Sequence, residues 1–230
     1  MNTEVIAHIR TDFPEKFGLP RQSGLVEELE GVIEFTEKYR DPEAVRGLEG
    51  FDYLWLIWQF ETGKDPGEWS PTVRPPRLGG NTRIGVFATR SPFRPNPIGL
   101  SCVRLKSVEY TPEGPKIHVT GIDMRDKTPI FDIKPYLPYA DAHPGAAAGF
   151  TDSETEKENT KLLWVEDPEN ALSKLPEEKR QGAIKLLEQD IRPGYQKDPD
   201  RVYGVGFAGF NIRFTSDGAK VTVVGADPLE

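Results

Sequence analysis

The residues of this chain best suited to chemistry are the arginines between Arg83 and Leu105, in RIGVFATRSPFRPNPIGLSCVRL, a stretch without a single carboxylate. Its middle, TRSPFRPNPIG, sets Arg90, Arg94 and Asn96 among Pro92, Pro95 and Pro97. Proline fixes φ, removes a backbone donor and drives the preceding residue toward extended geometry. The loop is therefore stiff and holds its guanidiniums in set directions. A planar guanidinium grips a carboxylate or phosphate through two parallel hydrogen bonds, so the arrangement suits an anionic ligand. Two other polar segments stand out. Pro20-Arg21-Gln22 follows a Gly/Pro turn. Asp126-Lys127-Thr128-Pro129 precedes FDIKPYLPYAD, whose prolines among Asp132, Lys134 and Tyr136 read as an ordered, exposed stretch. On composition alone, PRQ and DKTP are better explained as ordinary turns.

Charge along the chain supports one binding region. The 230 residues carry a net charge of −8, yet residues 69–108 hold seven basic groups and no acidic one, whereas residues 1–68 hold seven basic and fifteen acidic. An acidic protein with one concentrated basic segment draws a polyanion to one place and repels it elsewhere. Other chemistries lack support. There is no GxGxxG, Walker A loop, CxxC, HExxH or GxSxG. His8, His118 and His143 are scattered and read as ordinary residues, and no metal is expected. Cys102, the single cysteine, excludes an intrachain disulfide framework and suits a reducing cytoplasm; in LSCVRL it reads as a small hydrophobe. MNTEVIAHIR lacks the pattern of a signal peptide, and no apolar run is long enough to span a bilayer. A cytoplasmic protein is expected.

The elements that must position these residues are mostly short strands. Val5–Arg10, Gly31–Tyr39, Arg83–Thr89, Leu100–Tyr110 and Pro115–Ile122 alternate or are β-rich. Phe51–Phe60, FDYLWLIWQF, reads as a strand buried on both faces, with Trp55 and Trp58 in the core. Strands at this spacing, broken by Gly/Pro turns, point to a barrel or a sandwich. Asp41–Gly47 looks like one helical turn with an Asp cap. Tyr139–Thr155 shifts to small and polar residues, as a linker would. Beyond it come a strand over Thr160–Glu166, a helix over Pro176–Asp190, and strands over Val202–Phe207, Phe210–Thr215 and Lys220–Val224, the last two joined by Ser216-Asp217-Gly218. The reading is a mainly β unit at 1–140, a linker at 141–155 and a small α+β unit at 156–230.

GVFATRSPFRPNPIGLS resembles the hallmark segment of the TsaA/TrmO family, S-adenosylmethionine-dependent tRNA adenosine-N6-methyltransferases. RPPRLGGN, AVRGLEGFDYLWL, DKTPIFDIKPYLPYAD, QDIRPGYQ and FNIRF resemble family segments too, so the similarity runs from Val5 to about Phe214. It implies a β-barrel N-terminal domain unlike the Rossmann methyltransferases, a C-terminal α+β domain that assists tRNA recognition, and a homodimer. The implied reaction is methylation of N6 of N6-threonylcarbamoyladenosine at position 37 of tRNA. Carried over by motif, the cofactor contacts are Pro20, Arg21, Gln22, Glu61, Thr62, Arg90, Leu100, Asp126, Lys127, Thr128 and Pro129. Two positions depart from the family pattern: Glu61-Thr62 replaces His-Gln, and Lys127 stands where glycine is expected.

Methyl transfer from a sulfonium asks the protein mainly for positioning. The ureido-type N6 must also lose its proton, for which the sequence offers Asp126 or water as base. Arg74, Arg77, Arg83, Arg94 and Asn96 are the expected RNA contacts, with Phe93 or Tyr136 to stack on the extruded base. A non-catalytic RNA- or nucleotide-binding barrel, or a methyltransferase acting on a small molecule or a protein, are the alternatives; the first predicts no affinity for S-adenosylmethionine, the second activity without tRNA.

Overall fold

The computed structural model describes residues 3–61, 69–75, 78, 82–152, 162–192 and 198–229. Six antiparallel strands close into a barrel: β1 (Ala7–Thr11), β2 (Glu30–Phe35), β3 (Tyr53–Gln59), β6 (Ile98–Thr111), β7 (Gly114–Thr120) and β8 (Thr128–Pro135). Their order around the barrel is β1-β2-β7-β6-β3-β8, and β8 returns to pair with β1. A two-stranded ribbon, β4 (Thr72–Val73) with β5 (Ile84–Gly85), stands beside it. Alternation places one row of each strand inside. Ile9, Ile33, Leu54, Leu56, Val103, Ile117 and Ile130 are all buried there. Residues 98–104 of β6 pair with β3 and residues 104–111 with β7, a register shift between Leu105 and Ser107 turning the corner.

Three expectations change. The segment expected to be an ordered, exposed stretch is the barrel strand β8; its prolines, Pro129 and Pro135, sit near its two ends, where a missing donor costs the ladder least. In β3 only alternate residues, Leu54, Leu56 and Trp58, are fully buried. The opposite face is half-covered, and Trp55 uses its indole N–H to donate to Asp141 at 2.9 Å. Arg83–Thr89 is no continuous strand: two residues pair, then Val86–Ala88 turn as a 3-10 helix. The stretch after β8 also begins with a short helix, α1 (Pro138–Asp141).

The second unit is a four-stranded sheet in the order β10-β11-β12-β9: β9 (Trp164–Glu166), β10 (Tyr203–Phe207), β11 (Phe210–Ser216) and β12 (Lys220–Pro228), with β9 parallel to β12. Helix α2 (Glu177–Glu188) buries Ala183, Leu186 and Leu187. No helix among the described residues is long and apolar enough to cross a membrane.

The two units meet on residues 12–29, the irregular connection between β1 and β2. Phe13 is fully buried and packs on Phe207, ring centroids 5.2 Å apart. Lys179 of α2 pairs with Asp12 at 2.7 Å. Ala208, held at φ 51 in the two-residue turn between β10 and β11, donates its N–H to the Asp12 carbonyl at 3.0 Å. Gly18, at φ 89, lies so close to β10 that a Cβ there would stand 2.3 Å from Val205. Phe13 is the apolar centre of this contact. Phe13→Ala is expected to cost about 3–5 kcal/mol in chemical denaturation, as large-to-small changes at buried aromatics do; a loss below about 1 kcal/mol would show that the connection is not held by this packing.

Candidate active-site pocket

A cavity of about 550 Å³ opens where β3 ends, β6 begins and β7 gives way to residues 121–127. Residues 12–29 form one wall and the Arg90–Ile98 loop another. The loop is braced from within: the Thr89 hydroxyl accepts from Ser91 N–H, the Ser91 hydroxyl from Phe93 N–H, and Arg94 donates to the Thr89 carbonyl at 3.3 Å. This is the stiffness that the prolines predict, supplemented by side-chain turns.

Several expected cofactor residues converge. Pro20, Arg21, Gln22, Glu61, Arg90, Leu100 and Thr128 all line the cavity. Arg90 donates to the Gln22 side-chain oxygen, joining two motifs far apart in sequence. Arg21 donates to the Asp190 carbonyl beyond the end of α2, at 3.4 Å. Glu61 accepts from Arg125 at 2.7 Å, and Lys16 donates to the Glu61 carbonyl. The polar groups form a rim around an apolar wall that includes Leu19, Trp58, Phe60 and Met124.

Other expectations fall elsewhere. Asp126 does not line the cavity. Its carboxylate accepts from Thr11 N–H at 3.2 Å and lies 3.8 Å from Arg10, so it closes the turn into β8. The structure places Asp126 at this turn, outside the cavity lining. Lys127 and Pro129 are also outside. Lys127 has φ 64, in the left-handed region that favours glycine, and its N–H reaches the Ile9 carbonyl at 2.8 Å. Pro129 pairs with His8 between β8 and β1. Tyr136 packs on Tyr53 and Trp55 toward the other end of β3, about 10–17 Å of strand from Trp58 in the cavity wall. Of the expected RNA contacts, Arg94 lines the cavity, Asn96 is exposed on its loop, Arg74 is exposed beside β4, and Arg83 donates to Thr72 in the ribbon at 2.8 Å. Thr62 and Arg77 lie outside the described residues.

The cavity also holds groups that sequence reading missed. Trp58 donates its indole N–H to Ser101 Oγ at 2.9 Å, and Ser101 donates to Asp123 Oδ1 at 2.7 Å. Trp58 is held there because Gly99 has no side chain: a Cβ on Gly99 would stand 2.2 Å from the indole. Burial pushes the Asp123 carboxyl up to about 6, against the pull of the Ser101 hydroxyl, backbone donors and the Arg90 charge. The available signal was GIDM: a carboxylate between Ile122 and Met124, both of which are buried.

The comparisons agree with this architecture. A tRNA-methyltransferase O N-terminal domain model matches residues 8–142, and a TrmO C-terminal domain model matches residues 158–229. A tRNA (adenine(37)-N6)-methyltransferase of Escherichia coli (strain K12) is 42% identical over 98% of this chain and 97% of its own length. A Pseudomonas aeruginosa relative, 40% identical over 87% of this chain and 86% of its own, is named for dependence on S-adenosylmethionine. The crystal structure of TrmO from Pseudomonas aeruginosa superposes with a TM-score of 0.79 at 31% identity, covering 100% of this chain and 97% of that one. The class is thus a methyltransferase built on a closed barrel. Within it, the chain belongs to the TrmO family.

The raised Asp123 carboxyl sets a pH dependence of stability. An unfolded aspartate titrates near about 3.9 and the folded one at about 6, so between these values the folded state holds the extra proton. Stability therefore falls as pH rises through that window and stays lower above it. Asp123→Asn removes this cost and is expected to gain about 2–3 kcal/mol relative to the wild type between pH 4 and pH 7. Equal pH profiles for the two proteins in thermal or urea melts would contradict it.

Proposed function

We propose that this protein transfers a methyl group from S-adenosylmethionine to N6 of adenosine 37 in tRNA, and that the acceptor adenosine carries a threonylcarbamoyl group. The observation that carries the reading is the meeting of Pro20-Arg21-Gln22 and Arg90 at one cavity of about 550 Å³, within the range of small-molecule sites. The names of relatives support the reaction and the donor.

The residues present fit the donor chemically. S-adenosylmethionine has an adenine, a ribose and a zwitterionic amino acid. Arg90, oriented by Gln22, would hold the carboxylate, and the Trp58, Leu19 and Leu100 surfaces would cover apolar parts. When bound, the donor supplies a methyl group activated by a sulfonium. With the donor in place, the apolar walls Leu19, Trp58, Phe60 and Met124 would keep water from it, which strengthens each charge contact inside. Around the mouth, Lys16, Arg21, Arg94 and Arg125 give a positive field for the anticodon loop, and Arg74 extends it along the ribbon. A cytoplasmic homodimer is part of the same proposal, as is division of the chain into a barrel at 1–140 and a tRNA-assisting unit at 156–230.

Incubation with methyl-labelled donor and threonylcarbamoylated tRNA, followed by nucleoside mass spectrometry, is expected to place label on the modified adenosine. Label on free nucleosides or proteins only, or no label, would contradict the reading. Arg90→Ala is expected to weaken donor binding by about tenfold or more in calorimetry, the usual scale of a charge-assisted contact; unchanged affinity would exclude Arg90 from the site. Arg74→Ala is expected to weaken tRNA binding and lower the salt slope by about one. An unchanged slope would remove Arg74 from the interface.

A further inference from the structure

Resting on the methyl-transfer reading above, we propose that Asp123 is the general base of the reaction, with Ser101 and Trp58 as the residues that position it.

Two carboxylates line the cavity among the described residues, Glu61 and Asp123. Glu61 is committed to Arg125 at 2.7 Å, near the rim. Asp123 sits deeper and is aimed by a directional relay. Trp58 can only donate, so the Ser101 oxygen accepts from it and the one hydroxyl proton goes to Asp123 Oδ1. Ser101 is 1% exposed, so solvent does not compete for either bond. A buried relay that ends on a carboxylate in a cavity has no barrel-building purpose: three apolar side chains at these positions would pack the same strands without desolvating a charge.

The chemistry selects between a base and a donor-binding role. A carboxylate against the sulfonium stabilises the reactants more than the transition state, because the positive charge is lost as the methyl leaves. A proton acceptor gains in the transition state. In the balanced step, the N6–H proton passes to an Asp123 carboxylate oxygen. The freed electron pair forms the N–CH3 bond, and the S–CH3 pair returns to sulfur. Asp123 later gives the proton to water. A carboxyl that titrates near neutrality suits this work, being mostly ionised at pH 7 yet a better acceptor than an exposed aspartate. The charged groups facing the same space are Arg90, which favours the ionised form, with Lys16, Arg21, Arg94, Arg125 and Glu61 around the wall.

The test compares wild type, Asp123→Asn and Ser101→Ala. Single-turnover methylation of threonylcarbamoylated tRNA is measured against pH, with the dissociation constant for S-adenosylmethionine. In the protein without donor or tRNA, the Trp58 indole N–H resonance is followed against pH. Asp123→Asn is expected to lower the rate about 10²- to 10⁴-fold with donor affinity changed less than about threefold. The wild-type rate falls tenfold per pH unit below about 6, where the base is protonated. Ser101→Ala, which removes a bond that favours the ionised form, moves that limb to higher pH. The Trp58 resonance shifts with the same midpoint in wild type and stays still in a folded Asp123→Asn protein. An Asp123→Asn enzyme that keeps the wild-type rate, or loses donor affinity in step with rate, overturns the assignment while leaving the methyltransferase reading intact. A wild-type protein that methylates no tRNA overturns both.

Discussion

Everything at the pocket depends on how residues 12–29 are seated. This connection has no regular secondary structure, so it cannot hold its own shape through a ladder. It is fixed by what lies on either side. Phe13, Val26 and Leu29 plunge into the core, Gly24 donates to the Gly121 carbonyl, and the Phe13 carbonyl accepts from Asp126. On the outer side, β10 meets Gly18, α2 meets Asp12, and Asp190 beyond the end of α2 accepts from Arg21. Among the described residues none of the C-terminal unit lines the pocket, yet the unit contributes to it, because it helps to set where Arg21 and Gln22 stand. Loss of its packing would loosen the Gln22–Arg90 contact and the wall of the cavity that it completes.

Much of the site was legible where local chemistry is strong. Pro92, Pro95 and Pro97 act within their own neighbourhoods, so the stiffness of the arginine loop follows from sequence. The family motifs then brought Gln22 and Arg90 together, which composition alone could not do. Other features depend on closure of the barrel. β8 reads as an ordered, exposed stretch and not as a strand, because Pro129, Asp132, Lys134 and Pro135 dilute its alternation; pairing with β1 and β3 makes it a strand. Asp126 and Asp123 are three residues apart, and the turn between them sends one carboxylate to β1 and the other into the cavity. No spacing rule separates them. Tyr136 belongs to a recognisable segment, yet β8 carries it to the opposite end of the barrel.

The positive field shows the same lesson. Counting charge along the chain finds residues 69–108, but Lys16, Arg21 and Arg125 come from elsewhere and reach the same cavity. The site is basic because three segments meet there. Within this field a partly buried carboxylate is tolerable: Arg90 offsets part of its desolvation, and Ser101 satisfies one oxygen. The residual cost appears as the raised titration of Asp123, the expected sign of a group kept for chemistry at some expense of stability.

The central claim is that the Arg90 loop and residues 12–29 close a single donor site above Asp123. A crystal structure with S-adenosylhomocysteine tests it most directly. The account predicts density between Gln22–Arg90 and the Trp58–Ser101–Asp123 relay, with the ligand carboxylate on Arg90. Density at a different surface, with this cavity filled by solvent alone, would contradict it.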